Sequence, residues 1–288
     1  MKITVIIPTR NKLSRLKITL EALQYQNCNN KSFRVLVIDD GSTDGSPDFL
    51  KAANYSYRLD YILNKEQGGR SAARNIGIAH ADSDFILFID DDIILNQGYI
   101  SRMICQLSNK SVDAVRGGIY ELLQFGNADT IRTHELLPKD ASYDLCIHDL
   151  LCENGNTKPI HRIKTQLEKI TETVLEKHIC EFMWLGFTGS SFACKRDLLL
   201  QFDGFDERMG KTWGCEDFEL GYRFVKKHEI VYDPSCMAYH LSHKRINYEE
   251  NLKSSFEYFY QKHMDSSIWR VYNTIINKDW RNGLWRNS

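Results

Sequence analysis

Short apolar runs alternate with amphipathic segments along the first 118 residues of the chain. Leu13, Leu16, Leu20 and Leu23 recur at helical spacing, and GGRSAARNIGIAHA (68–81) predicts a loop followed by a helix. Five runs have the composition of buried strands: ITVII (3–7), FRVLVIDD (33–40), RLDYIL (58–63), FILFI (85–89) and DAVRGGIY (113–120). Because apolar strands separated by helices indicate a parallel sheet covered on both faces, we predict an α/β fold with a mostly parallel sheet.

Two prolines mark predicted boundaries within this pattern. Pro8 predicts the end of the first strand, since proline cannot donate a ladder hydrogen bond. Ser46 is a predicted N-cap, with Pro47 as the first helical residue after it.

The chain changes character after residue 118. Residues 121–180 are polar, contain a helical stretch at 164–178 and show no strand-like run, which predicts a helical insertion or lid. Residues 181–245 are rich in glycine and aromatic residues and predict a compact segment. We therefore expect one domain over 1–245, divided into a first half (1–118), an insertion (119–180) and a last segment (181–245).

The last segment, 246–288, mixes aromatic and basic residues. The favoured interpretation is a helical C-terminal tail packed over the core. The alternative is a tail that contacts a membrane surface or a second copy of the chain.

Composition limits the kinds of partner. The formal net charge of −1 shows no basic field, so no nucleic-acid partner is expected. The eight cysteines form no CxxC pair, and in a chain of 288 residues they favour reduced thiols and a cytoplasmic protein. The apolar run at the start is too short for a signal peptide, and none reaches the roughly 20 residues of a spanning helix. Contact at the inner face of a membrane stays open.

Two acidic clusters follow predicted strands. Asp39 and Asp40 end the second strand, and Asp90, Asp91 and Asp92 end the fourth. Parallel sheets bind ligands at the carboxyl ends of their strands, and clustered carboxylates there suit a hard cation such as Mg²⁺ or Mn²⁺. Taken alone, each cluster is equally compatible with a capped turn or a solvated acidic loop.

Two further motifs carry candidate chemistry. In TWGCEDFELGYRF (212–224), Glu216 and Asp217 follow Trp213 and Gly214 and precede a helical pattern. One of these carboxylates could serve as a general base in a cleft roofed by Trp213, or both could simply complement a helix dipole. His240 in AYHLSHK (238–244) is a candidate metal ligand, with His243 three positions further on.

The ordered set of motifs resembles the family-2 inverting glycosyltransferases of GT-A fold. VIIPTRN, VIDDGSTDGS, GGRSAARNIGI and FILFIDDDI carry the resemblance over 1–118, and WGCEDFELGYRF and AYHLSH carry it over 181–245. The block from Gly189 to Phe224 also looks like a segment of galactosyltransferases and chondroitin-type polymerases. Any one of these motifs is weak, whereas the ordered set is specific.

The resemblance implies that 1–118 is a nucleotide-binding half and that 181–245 is an acceptor and catalytic segment, and it implies a role for each matching position. Asp217 matches the catalytic base, and Glu216 would bind the acceptor or donor sugar. Asp40 would bind the uracil ring, and Asp91 fills a variable place that we expect to tolerate change. The metal ligands would be Asp92, Asp90 and His240. The residues that would contact the nucleotide sugar are Pro8, Thr9, Arg10, Asp40, Arg74, Asp90, Asp91, Trp213 and Gly214.

The implied reaction is the transfer of a hexose or N-acetylhexosamine from a UDP-sugar to a hydroxyl or other nucleophile, with Mn²⁺ or Mg²⁺. A single base and one metal site predict inversion, hence a β-linked product from an α-linked donor. The acceptor is left open as a glycan, lipid-linked compound, small molecule or peptide. Alternatives are a sugar-phosphate nucleotidyltransferase, a haloacid-dehalogenase-like phosphatase, or a non-catalytic module that binds nucleotide or divalent metal.

Overall fold

A computed structural model describes residues 2–123, 161–211, 214–241, 243, 247–279 and 284. In this part of the chain nine strands form one mixed sheet. Their bounds are Ile3–Thr9 (β1), Phe33–Asp39 (β2), Arg58–Leu63 (β3), Phe85–Phe88 (β4), Ile93–Leu95 (β5), Ala114–Leu123 (β6), His161–Ile163 (β7), Phe192–Lys195 (β8) and Ile230–His240 (β9). The order across the sheet is β3-β2-β1-β4-β8-β6-β9-β5, and β7 pairs with β6.

The first half of the sheet is parallel and the second half is mixed. β1 lies between β2 and β4, and β2 pairs in parallel with β3. Beyond β4, β8 runs antiparallel to both β4 and β6, whereas β9 runs parallel to β6. The carboxyl ends of β1, β2, β4 and β9 carry the residues predicted to bind ligand.

The helices cover both faces of the sheet. Their bounds are Leu13–Leu23 (α1), Ser46–Ala52 (α2), Gly69–His80 (α3), Tyr99–Leu107 (α4), Gln166–Glu176 (α5), Arg196–Gln201 (α6), Glu216–Phe224 (α7), Tyr248–His263 (α8) and Ser266–Asn277 (α9), with a 3₁₀ helix at Cys180–Gly186. On one face, Leu16 and Leu20 of α1 pack with Val5. Ile6, the next residue of β1, packs on the opposite face with Ala73 and Ile78 of α3. This alternation follows from the two-residue period of a strand.

The C-terminal tail packs on the segment 181–245. Leu252, Phe256 and Phe259 of α8 and Ile268 of α9 are buried in one cluster with Trp184. That cluster also contains Phe218 and Tyr222 of α7. The described part of the tail thus consists of two helices whose apolar residues pack over the core, as the favoured interpretation expects. Among the helices that the structure describes, none combines the length and the apolar composition needed to cross a membrane.

Several predicted boundaries differ from the structure. β1 continues through Pro8 to Thr9, paired with β2 on one side. On the other side, the pairing of β1 with β4 ends at Ile6, so no hydrogen bond of the sheet requires an N–H at Pro8. α2 begins at Ser46 itself, with Gly45 as its N-cap in the left-handed region at φ 86°. The N-cap prediction for Ser46 was therefore wrong by one residue.

The prediction that 121–180 contains no strand was also wrong. β6 extends to Leu123, and β7 pairs antiparallel with its last three residues. Three residues are too few to show a strand pattern, and the middle one is Arg162, whose guanidinium lies 5.8 Å from the centre of the Tyr120 ring. The predicted helix at 164–178 is α5, capped by the Thr165 side chain. The rest of the predicted insertion or lid, residues 124–160, lies outside the described part of the chain.

Candidate functional site

Three consecutive carboxylates follow β4, and basic side chains surround them. Lys12 Nζ lies 3.1 Å from Asp91 Oδ1 and 3.1 Å from Asp92 Oδ2. Thr9 Oγ1 donates a hydrogen bond of 2.8 Å to Asp91 Oδ2. Burial raises the pKa of Asp91 to about 6, although Lys12 opposes the rise. Asp91 is thus a buried and fully engaged residue, and this geometry does not support the expectation that it tolerates change.

Asp92 lies beside two histidines. His240 Nε2 is 3.5 Å from Asp92 Oδ1, and His243 Nε2 is 3.3 Å from Asp92 Oδ2. One ligand atom from each of the three residues lies within 4.8 Å of the others. Burial lowers the pKa of His240, but the carboxylates of Asp92 and Glu121 outweigh it and raise the pKa to about 10. One buried carboxylate and two imidazoles suit a divalent transition ion such as Mn²⁺ better than Mg²⁺, which favours oxygen ligands.

Arg74 of α3 connects two acidic groups. One is the acidic turn formed by Asp90, Asp91 and Asp92, and the other is the pair Glu216 and Asp217. Its guanidinium is 1% exposed, with Nη2 at 2.9 Å from Asp90 Oδ1 and Nη1 at 2.8 Å from Glu216 Oε1. Ser190 Oγ donates to the other oxygen of Asp90 at 3.0 Å. Burial raises the pKa of Asp90, but Arg74 outweighs it and holds that pKa below its ordinary value. Asp90 is therefore an ionised carboxylate, fixed in direction by Arg74 and Ser190.

Gly189 makes room for this arrangement. A Cβ at this position would lie 2.6 Å from Arg74 Cζ, which is closer than side chains pack. The Gly189 N–H donates to Asp217 Oδ2 at 2.8 Å. The glycine thus lets the Arg74 guanidinium and the Asp217 carboxylate share a small volume.

Asp217 lies in the first turn of α7. Cys215, just before the helix, has a left-handed backbone at φ 65°, which turns the chain into the cleft. Burial and then the neighbouring Glu216 raise the pKa of Asp217 to about 6, against the opposing effects of Arg74 and the N–H groups of Gly189 and Phe218. A carboxylate with this pKa is ionised at neutral pH and still basic enough to accept a proton.

Two cavities meet at the acidic turn. The smaller, of about 210 Å³, is lined by residues predicted for the nucleotide side: Pro8, Thr9, Arg10, Asp40, Asp90 and Asp91. The larger, of about 430 Å³, is lined by Gly214, Glu216 and Asp217. Arg70, Asp90 and His240 line both. The arrangement can place a bound donor in one cavity and a nucleophile in the other.

Asp40 also organises the rim of the smaller cavity. Its two oxygens accept hydrogen bonds from Asn64 Nδ2 at 2.7 Å and from the Gly69 N–H at 2.9 Å. Gly69 has φ +86°, and a Cβ there would lie 2.5 Å from the carbonyl oxygen of Gly210. Asp40 therefore fixes the turn that leads into α3. Trp213, the predicted roof of the cleft, lies outside the described residues.

The family model for Glycosyl transferase family 2 matches residues 4–188, well over half of the chain. The chain belongs to this family. Validoxylamine A glucosyltransferase of Streptomyces hygroscopicus subsp. jinggangensis is 26% identical over 95% of the chain, which spans 64% of that relative. Chondroitin synthase of Pasteurella multocida is 27% identical over 83% of the chain, which spans 24% of that relative. The chain thus spans less than two thirds of either protein.

Solved structures show the fold of this glycosyl transferase family 2 chain. S. aureus TarS 1-349 in complex with UDP-GlcNAc has a TM-score of 0.63 at 16% identity, covering 98% of this chain and 73% of that one. Mannosyltransferase PcManGT from Pyrobaculum calidifontis, in complex with GDP-Man and Mn²⁺, has a TM-score of 0.58 at 17% identity, covering 86% and 59%. These likenesses confirm the predicted GT-A fold.

The structure of this family-2 chain brings most predicted site residues together. Asp92 meets His240, and Arg74 connects Asp90 with Glu216, next to Asp217. Asp90 is absent from the described cluster of three convergent ligand atoms, so its role as a metal ligand stays a prediction. The roles of the individual residues likewise stay predictions.

Sequence reasoning missed several site residues. Lys12 and Ser190 show no pattern of their own, and Gly189 was visible only as part of a matching block. His243 was visible as the second histidine of HLSH but was not assigned as a ligand. Glu121 sits in a stretch with no recognisable motif, and its contact with His240 depends on the pairing of β6 with β9.

Proposed function

We propose that this chain is a metal-dependent inverting glycosyltransferase. It moves a hexose or N-acetylhexosamine from a UDP-sugar to a hydroxyl or other nucleophile, in glycan, surface polysaccharide or natural-product glycosylation. The observation that carries this proposal is the junction of the two cavities. Asp91 and Asp92 line only the smaller one, Asp217 lines only the larger one, and Asp90 lines both.

The donor occupies the smaller cavity. Pro8, Thr9 and Asp40 form its nucleobase end, and the acidic turn forms the opposite end, where the diphosphate lies. Lys12 and Arg70 also line this cavity and place positive charge near the diphosphate. Arg74 holds Asp90 at the border of the two cavities, and Asp90 contacts the ribose or the transferred sugar there.

Asp92 and His240 would hold a divalent ion, with His243 completing the set. When bound, such an ion stabilises the negative charge of a diphosphate leaving group as a Lewis acid. The buried carboxylate and the convergent imidazoles fit this group. Mn²⁺ is preferred over Mg²⁺, because two of the three ligands are imidazole nitrogens and Mg²⁺ favours oxygen ligands.

Asp217 accepts the proton of the acceptor hydroxyl. Its carboxylate lines the larger cavity and is held by the N–H groups of Gly189 and Phe218 at 2.8 and 2.9 Å. Arg74 pairs with Glu216, and the carboxylate of Glu216 beside Asp217 contributes to the raised pKa of Asp217. One base on the acceptor side leads to direct displacement with inversion of the anomeric carbon.

A panel of nucleotide sugars tests the proposal. The purified chain is incubated with UDP-glucose, UDP-galactose, UDP-N-acetylglucosamine and GDP-mannose, with Mn²⁺, Mg²⁺ or a chelator, and release of nucleotide is measured. We expect one UDP-sugar to be turned over with Mn²⁺ and not with the chelator. Equal turnover in the presence of the chelator would contradict metal dependence. With water as the acceptor, a free sugar released first as the α-anomer, observed by NMR, would contradict inversion.

The protein acts in the cytoplasm, as its cysteine pattern suggests, and contact of the tail with a membrane surface or a second copy stays a prediction. Because α8 and α9 are packed into the core, deletion of the tail would expose apolar residues. Flotation of the intact chain with anionic vesicles, and its mass in solution, are therefore the better tests.

A further inference from the structure

Glu121 contacts the far side of the predicted metal ligand His240. Its Oε2 lies 2.8 Å from His240 Nδ1, while Nε2 of the same ring faces Asp92 Oδ1 at 3.5 Å. The two ring nitrogens thus face two different carboxylates. Only Nε2 points toward the cluster formed with Asp92 and His243.

The sheet fixes the backbone of both residues. Glu121 and His240 are direct partners in the parallel pairing of β6 with β9. His240 is also paired with Ile93 of β5, and the Leu241 N–H donates to the Asp92 carbonyl at 2.9 Å. The position of the His240 Cα is therefore set by the sheet, and only the direction of the ring is left to side-chain contacts.

A carboxylate at one imidazole nitrogen determines what the other nitrogen can do. Nδ1 donates its hydrogen to Glu121, so the lone pair of a neutral ring lies on Nε2, on the side of Asp92. Hydrogen bonds of this kind fix the orientation of metal-binding histidines and make them better donors to the metal. The Glu121 side chain is 21% exposed and is not among the convergent ligand atoms of the described residues. Glu121 therefore acts through His240 and not as a ligand.

We propose that Glu121 is a positioning residue for the metal centre, which holds the His240 ring so that Nε2 faces the ion beside Asp92. This inference rests on the proposed metal-dependent function. Glu121 lies on β6, whereas the predicted metal ligands come from the acidic turn and from the end of β9 and the residues after it.

The test measures Mn²⁺ affinity without nucleotide or turnover. Glu121→Ala, Glu121→Gln and His240→Ala are titrated with Mn²⁺ as full-length chains at one pH, by calorimetry or by the electron paramagnetic resonance signal of free Mn²⁺. We expect Glu121→Ala to weaken Mn²⁺ binding by about 10- to 100-fold. Glu121→Gln keeps an oxygen that can accept from Nδ1 but loses the charge, so its loss should be smaller. Glu257→Gln, on the outer part of α8, is the matched control, with an unchanged affinity expected.

A double-mutant cycle separates positioning from general loss of charge. If Glu121 acts through the His240 ring, Glu121→Ala added to His240→Ala should cost less than about twofold further. An equal loss in both backgrounds, or Glu121 variants that bind Mn²⁺ like the parent, would overturn the proposal. If Glu121→Ala does not fold, as thermal unfolding would show, Glu121→Gln carries the same comparison. A parent chain that binds no Mn²⁺ would instead refute the metal centre itself.

Discussion

Neutralising Glu216 should make Asp217 a weaker base without removing it. Glu216→Gln keeps the size and hydrogen-bonding shape of the side chain but removes the negative charge beside Asp217. Arg74 then has one anionic partner fewer, so its positive charge acts more strongly on Asp217. Both effects lower the pKa of Asp217.

The size of the effect follows from the causes of the raised pKa. The pKa of Asp217 rises from 3.8 to about 6, which corresponds to about 3 kcal/mol in favour of the protonated form. Burial is the larger cause and Glu216 the second. Because burial remains in Glu216→Gln, the pKa should fall by less than about 1 unit.

The assay is the pH dependence of kcat with a saturating nucleotide sugar. The base must be ionised, so kcat in the parent should fall as pH drops below about 6. In Glu216→Gln this acidic limb should move to lower pH, whatever happens to the maximal rate. Glu229→Gln, an exposed carboxylate-to-amide change after α7, should leave the limb in place. A parent limb near pH 4, or an unmoved limb in Glu216→Gln, would refute the role given to Asp217.

Three further variants probe the support of the site. Gly189→Ala places a methyl group 2.6 Å from Arg74 Cζ, so we expect the unfolding free energy, measured by denaturant titration, to fall by about 1–3 kcal/mol. An unchanged unfolding midpoint would contradict the crowding at this position. Hydrogen bonds from His263 and Arg223 outweigh burial and lower the pKa of Glu219 to about 2. The ionised Glu219 side chain therefore stabilises the fold above pH 4.5, and this stabilisation is lost as pH falls from 4.5 toward 2. Glu219→Gln should cost about 3 kcal/mol at neutral pH and little near pH 2, and a cost independent of pH would contradict this. His243→Ala should weaken Mn²⁺ binding by about 10-fold or more in a direct titration, whereas an unchanged affinity would remove His243 from the ligand set.

The order of strands and helices could be predicted where the pattern is local. The run at 85–88 is apolar throughout, and the run at 33–39 is apolar except for Arg34 and Asp39, because those strands are covered on both faces. The leucines of α1 keep a helical period because one face of that helix is buried. The short strand β7 could not be predicted in this way. Its three residues pair at the border of the sheet, and their side chains show no apolar period.

The site residues were also predictable only where the signal is local in the sequence. Asp90, Asp92, Asp217 and His240 were predicted because each lies in a motif whose order along the chain matches a known family. The contacts that hold them could not be predicted, because they join distant parts of the chain. Arg74 and Glu216 are 142 positions apart, and their ion pair exists only once α3 and α7 meet across the cleft.

The most direct test of the account compares the parent with Asp217→Asn in sugar transfer and in binding of UDP and Mn²⁺. We predict that transfer falls by about 10²- to 10⁴-fold, since the amide cannot accept the proton of the acceptor. Binding of UDP and Mn²⁺ should stay within about twofold of the parent, because Asp217 lines only the larger of the two cavities, whereas Asp92 lines only the smaller one. Transfer at the parent rate by Asp217→Asn would contradict the assignment of the base and, with it, the proposed mechanism.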